Sequence, residues 1–132
     1  MKNKFYKFII LAIIICFNTN LKGEEIIIDA SQIQLNNESK IVFAEGSVQI
    51  TDSRKNVIFA EKAEYDKKNE MVRSFGPTDI VTSEKYRIQG EDIVYDNNKK
   101  VIYSNKKSTI TDINGNKIYT ESFNYATSKN MF

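Results

Sequence analysis

The 132-residue chain has no histidine and no tryptophan, one cysteine and one proline. Imidazole and thiolate supply the usual general bases, nucleophiles and soft metal ligands, so their scarcity removes most nucleophile and base pairs and most transition-metal sites. The composition therefore points away from an enzyme, and no catalytic residue, metal ligand or cofactor motif stands out. Positive charge is also missing where nucleic acid would need it. Four of the nineteen Lys and Arg (Lys2, Lys4, Lys7, Lys22) fall in the first 23 residues, which hold no acid. Beyond them fifteen bases face seventeen acids, a balance of −2 and not a nucleic-acid footprint.

Lys2, Lys4 and Lys7 precede ten uncharged apolar residues, Phe8 to Phe17, and these give way to the polar stretch Asn18 to Gly23. A cationic flank, a short apolar run and a polar exit form the pattern of a secretory signal peptide. Ten helical residues cover roughly half of a ~30 Å hydrocarbon core, which disfavours a permanent span. Cleavage is expected near residues 20 to 24. An uncleaved anchor and a lipid-modified Cys16 are the alternatives, the second opposed by bulky Ile15. Removal of residues 1–23 leaves a mature chain, 24–132, without cysteine, which needs no disulfide in an oxidising compartment.

The mature region repeats. Ile28, Ile58, Ile88 and Ile118 are thirty residues apart, and so are Ala30, Ala60, Gly90 and Thr120. Ile33, Ala63, Ile93 and Phe123 form a third column, and Leu35, Tyr65, Tyr95 and Tyr125 a fourth. Val42, Val72 and Ile102, then Ile50, Ile80 and Ile110, mark a second segment of each unit. Apolar or small residues take every even position from Val42 to Ile50, the period of a half-buried strand. Polar clusters such as Asn36–Lys40, Asp52–Asn56, Asp66–Glu70, Asp96–Lys100 and Asp112–Asn116 separate the segments. Strands are expected at 26–35, 41–51, 57–65, 71–81, 86–95, 101–111 and 117–126. Connections this short favour antiparallel neighbours.

In the second strand of each unit the apolar parity switches, from Ala60 to Ala63, Gly90 to Ile93, Ala30 to Ile33 and Thr120 to Phe123. A strand keeping one face buried changes parity only through a bulge or bend. Four matching bends fold one layer into two facing arms, an antiparallel V-shaped roll. The interior would be lined by Ile28, Val42, Val48, Ile50, Ile58, Val72, Ile80, Ile88, Ile93, Ile102, Ile110 and Ile118, with Ile33, Leu35, Ala44, Ala63, Tyr65, Tyr95, Phe123 and Tyr125. These side chains either fill their own space or line an elongated trough for apolar ligands. Asp66 and Asp96 read as turn residues bonding their own backbone, and Tyr65, Tyr95 and Tyr125 as core aromatics with a reachable hydroxyl. The Lys pairs at 67–68, 99–100 and 106–107 read as solvated turns, with contact to lipid phosphates as a secondary possibility.

Phe43 to Ile50, Val57 to Asn69 and Ile88 to Asp96 resemble the A-x-G-x-V and A-x-x-A/I-x-Y-D units of the OstA-like lipopolysaccharide-transport family. That family includes a periplasmic bridge protein and the N-terminal periplasmic domain of an outer-membrane assembly barrel. The resemblance covers nearly the whole mature chain. It implies an antiparallel β-jellyroll in the periplasm, associated with the outer membrane, whose twelve-residue trough set above shields the lipid A acyl chains of lipopolysaccharide. It also implies joining to other OstA-like jellyroll modules by β-strand addition, no catalytic, metal or cofactor residue, and membrane contact only through partners or an uncleaved signal segment. The Ala44/Gly46 pair departs from the pattern as Ser74/Gly76, followed by Pro77, and then as Ser104/Lys106. Met131-Phe132 stand thirty residues after Val101-Ile102, so the sequence stops two residues into a further strand and is expected to be truncated. Two alternatives stay open: a purely structural exported β-repeat without a lipid ligand, and a membrane-anchored component of the same bridge.

Overall fold

A computed structural model describes residues 25–132 of the protein. The signal peptide expected at residues 1–23 lies outside the described residues. Eleven strands follow in order: β1 (Ile27–Asp29), β2 (Gln32–Asn36), β3 (Ile41–Thr51), β4 (Val57–Asp66), β5 (Met71–Val81), β6 (Arg87–Glu91), β7 (Val94–Asp96), β8 (Val101–Ser104), β9 (Ser108–Thr111), β10 (Lys117–Thr120) and β11 (Phe123–Ala126). These boundaries match the segments expected from alternation to within about two residues, and the described residues contain no helix. Every pairing is antiparallel.

The strands form two facing arms of one creased sheet. One arm runs β1, the C-terminal half of β3, the N-terminal half of β4, the C-terminal half of β5, then β6, β9 and β10. The other runs β2, the remaining halves of β3, β4 and β5, then β7, β8 and β11. We call them the first and second arm. The backbone repeats with the sequence: Lys55, Lys85 and Gly115 have positive φ at the first-arm turns, and Lys40, Glu70, Lys100 and Asn130 at the second-arm turns.

The creases are more numerous than parity shows. Besides the bends at residues 30, 60, 90 and 120, β3 and β5 are creased, and the third copy of that segment is split into β8 and β9. Register explains why they escape the pattern. Ala44 faces Ala63 and Val48 faces Ala60, so β3 spends four residues on the corner that β4 turns in three. A step of four keeps the parity and hides the bend; a step of three reverses it. Gly46 (φ 85°) and Ser47 (φ 48°) carry the extra residue on β3, as Gly76 (φ 76°) does on β5. The Gly46 backbone also approaches Ser31 so closely that an added Cβ would lie 2.8 Å from the serine Cβ. At Gly90 an added Cβ would lie 2.7 Å from Ser108 Oγ, so the bend there uses the smallest residue for contact with its neighbour.

Candidate functional site

The interior between the arms is where the sequence places its candidate site. Ile28, Val42, Val48, Ile50, Ile58, Val72, Ile80, Ile88, Ile93, Ile102 and Ile110 are all buried in one continuous cluster. Ile33, Ala44, Ala63, Tyr95, Phe123 and Tyr125 are buried with them, and Leu35 and Tyr65 pack against them half-buried. Ile118 is the correction: it is 61 % exposed. It faces inward, paired side by side with buried Ile110, and lines an open cleft rather than the packed core. Along most of its length the interior is filled by its own side chains. Ile50, Asp52, Asn56, Ile58, Tyr95 and Ile102 leave no space for a water molecule between them.

A polar clasp, which the sequence pattern did not reveal, closes the arms at their tips. Asp52 Oδ1 accepts the Asn56 N–H at 2.8 Å and the Arg54 N–H at 3.0 Å, while Oδ2 accepts Asn56 Nδ2 at 2.9 Å. Across the gap, the Tyr95 hydroxyl of the second arm lies 3.1 Å from Asp52 Oδ2 and 3.1 Å from Asn97 Oδ1. Asp52, Asn56, Tyr95 and Asn97 are buried, which makes their mutual satisfaction necessary. A related contact recurs further along. The Tyr125 hydroxyl reaches Thr82 and, at 3.4 Å, Asn130 Oδ1, while Asn130 Nδ2 donates to Glu84 at 3.1 Å. The available signal was the 43-residue interval from Asp52 to Tyr95, repeated from Thr82 to Tyr125.

That interval means the arms are staggered: a first-arm turn is capped by a second-arm strand from further along the chain. The last first-arm strand, β10, is therefore exposed, and a cleft of about 530 Å³ opens beside it. Tyr103, Ile110, Ile118, Thr120, Phe123 and Phe132 are among the residues that line it. Phe132 leans on Tyr86 (ring centroids 5.2 Å, edge-on) and on Tyr125 (4.9 Å, tilted) at its margin. Met131 bridges to Ala126 as Val101 pairs with Asp96 one unit earlier.

The floor of the crease changes character along the molecule. Ala44 and Val48 on β3 are replaced by Ser74 and Thr78 on β5 and by Ser104 and Ser108 on β8 and β9. These buried hydroxyls all find partners. Thr78 donates to Ser74 Oγ at 2.7 Å, Ser74 Oγ accepts the Ile93 N–H at 2.9 Å, and Ser104 donates to the Glu91 carbonyl at 2.8 Å. On the outside, Asp92 accepts the Gly76 N–H at 2.9 Å and pairs with Lys106, and these bonds hold its carboxyl below the usual range. Asp66 and Asp96 accept N–H groups of their own turns, and nothing sets them up as a catalytic pair.

No protein-family profile matches the chain, and no curated protein matches its sequence. Among solved structures it is similar to LptH of Pseudomonas aeruginosa, the LptA-homologous periplasmic component of the conserved lipopolysaccharide transport device. The two share 18 % identity over 80 % of this chain and 78 % of that one, with a TM-score of 0.64. At that identity the likeness establishes the fold, and the chain is an all-β, antiparallel β-jellyroll of the kind LptH adopts.

Proposed function

We propose that the protein is a periplasmic module of lipopolysaccharide transport and outer-membrane assembly, which shields lipid acyl chains between its arms and joins neighbouring modules edge to edge. The fold shared with LptH, a periplasmic transport component, supports the general role. The observation that carries the lipid reading is the inward face of β9 and β10, where Ile110 and Ile118 continue the buried apolar stripe into an open cleft. Burying an acyl chain there gains about 0.8 kcal/mol per methylene without any directional bond. In this reading residues 1–23 direct export and 24–132 form the jellyroll domain. The trough set from Ile28 to Ile118 then serves as packed wall along most of its length and as lipid contact at the open end.

The filled interior favours a second reading, a structural β-repeat without lipid, and one experiment separates the two. A photo-crosslinking residue is placed at Ile118, facing in, and in a second variant at the adjacent Tyr119, which is 76 % exposed on the opposite face. Lipopolysaccharide adducts are then measured by mass. Adducts at Ile118 in clear excess over Tyr119 support the carrier; equal or absent labelling supports the spacer.

A further inference from the structure

The Asp112–Asn116 turn, which joins β9 to β10, reproduces the Asp52–Asn56 turn bond for bond. Asp112 Oδ1 accepts the Asn116 N–H at 2.8 Å and the Asn114 N–H at 2.9 Å, and Oδ2 accepts Asn116 Nδ2 at 2.9 Å. The copies differ between the ends of the turn, where Arg54-Lys55 and Glu84-Lys85 give way to Asn114-Gly115. Asn114 is the one asparagine of the chain that a glycine follows. Its side chain is exposed and, among the described residues, makes no hydrogen bond. Asn56 and Asn97, by contrast, are buried, and the amides of Asn69 and Asn116 are held by Asp66 and Asp112. Gly115 has φ 85°, and apart from its chain neighbours nothing lies within 4 Å of where a Cβ would sit, so its nitrogen is open to approach.

We propose that Asn114 is a modification site, deamidated without an enzyme when β10 opens. The Gly115 backbone nitrogen attacks Asn114 Cγ. As the new N–C bond forms, the Cγ–Nδ2 bond breaks, and Nδ2 leaves as ammonia with the proton that the Gly115 nitrogen gives up. Water then opens the five-membered ring at either carbonyl, leaving aspartate or isoaspartate, and nothing is oxidised or reduced. In the closed turn the Gly115 N–H is donated to the Asp112 carbonyl at 3.1 Å, so the attack requires the turn to release it. Release is easy at this place. β10 ends its arm, pairs among the described residues with β9 alone, and has three of its four residues exposed. The product then acts back on the strand. Isoaspartate lengthens the main chain by a methylene, and either product sets a second carboxylate near Asp112, so the turn closes less well. Ile118 of β10, a wall of the open cleft, loosens with it.

The test ages the full chain in mildly alkaline buffer and maps its peptides, measuring amide-to-acid conversion at each asparagine and separating isoaspartate from aspartate. Wild type, Asp112→Ala and Asn114→Gln are compared, each checked for β-structure by circular dichroism, with wild type in denaturant giving the rate of the open turn. In folded wild type Asn114 converts ahead of every other asparagine, yet more slowly than in denaturant. Asp112→Ala removes the charged acceptor that closes the turn and speeds conversion about tenfold or more. Aged wild type loses hydrogen-exchange protection in β10, and aged Asn114→Gln keeps it. Conversion of Asn114 no faster than that of exposed Asn37 and Asn124 would overturn the site. Equal rates in folded wild type, denaturant and Asp112→Ala would overturn its control by β10.

Discussion

The Asp52–Asn56 and Asp112–Asn116 turns have the same end residues, the same loop length and the same set of hydrogen bonds, yet the end residues of the first are buried and Asn116 of the second stands in solvent. The same holds for the isoleucines beside them: Ile58 is 3 % exposed and Ile118, sixty residues on in the same column, 61 %. Local structure in this protein is thus set within each thirty-residue unit, whereas burial is set by which strand of the opposite arm lies over it. A repeat array makes identical parts, and its ends show what neighbours contribute.

The sharpest break of that comparison uses the isoleucine column. Ile58→Ala removes a side chain packed on all sides and should cost about 3–4 kcal/mol, whereas Ile118→Ala should cost less than about 1 kcal/mol, both read from urea denaturation. Equal losses would mean that Ile118 is covered in solution. The turns give the next largest contrast. Asp52→Ala strands the Asn56 amide in the interior and takes from the Tyr95 hydroxyl one of its partners, at about 3 kcal/mol. Asp112→Ala at low protein concentration should shift the melting midpoint by no more than about 2 °C.

The smallest effect concerns pH. Burial first, then the charges of Glu70 and Asp66, push the Tyr65 phenol up to about 12. The folded state thus prefers the neutral phenol. Its contribution to stability is complete below the ordinary value of 10 and is lost as pH climbs from there to about 12. Tyr65→Phe should flatten the fall in denaturation midpoint over that interval, and identical slopes for the two proteins would count against an anomalous phenol.

Much of this architecture could be read before any coordinates. Columns thirty residues apart located all the strands, and the polar clusters located the turns, because a half-buried sheet imposes a period of two and a tight turn needs residues that bond their own backbone. Parity revealed the bend between Ala60 and Ala63 but not the one at Gly46, since a corner taken in four residues leaves the alternation intact. The candidate site was half legible. Eleven of its twelve trough residues are buried together, and Ile118 is not, because its exposure depends on the offset between two arms. The clasp from Tyr95 to Asp52 was missed for the same reason: each residue makes sense locally, one as a core aromatic and the other as a turn former.

The amino-acid order by itself determined the repeat, the strands, the inward face and the chemistry of each turn, all of which depend on residues within a few positions of one another. Only the tertiary structure decided which turns are sealed, where the interior is full and where it opens. Those outcomes depend on a slide of one arm over the other, which brings together residues 43 positions apart and leaves β10 exposed.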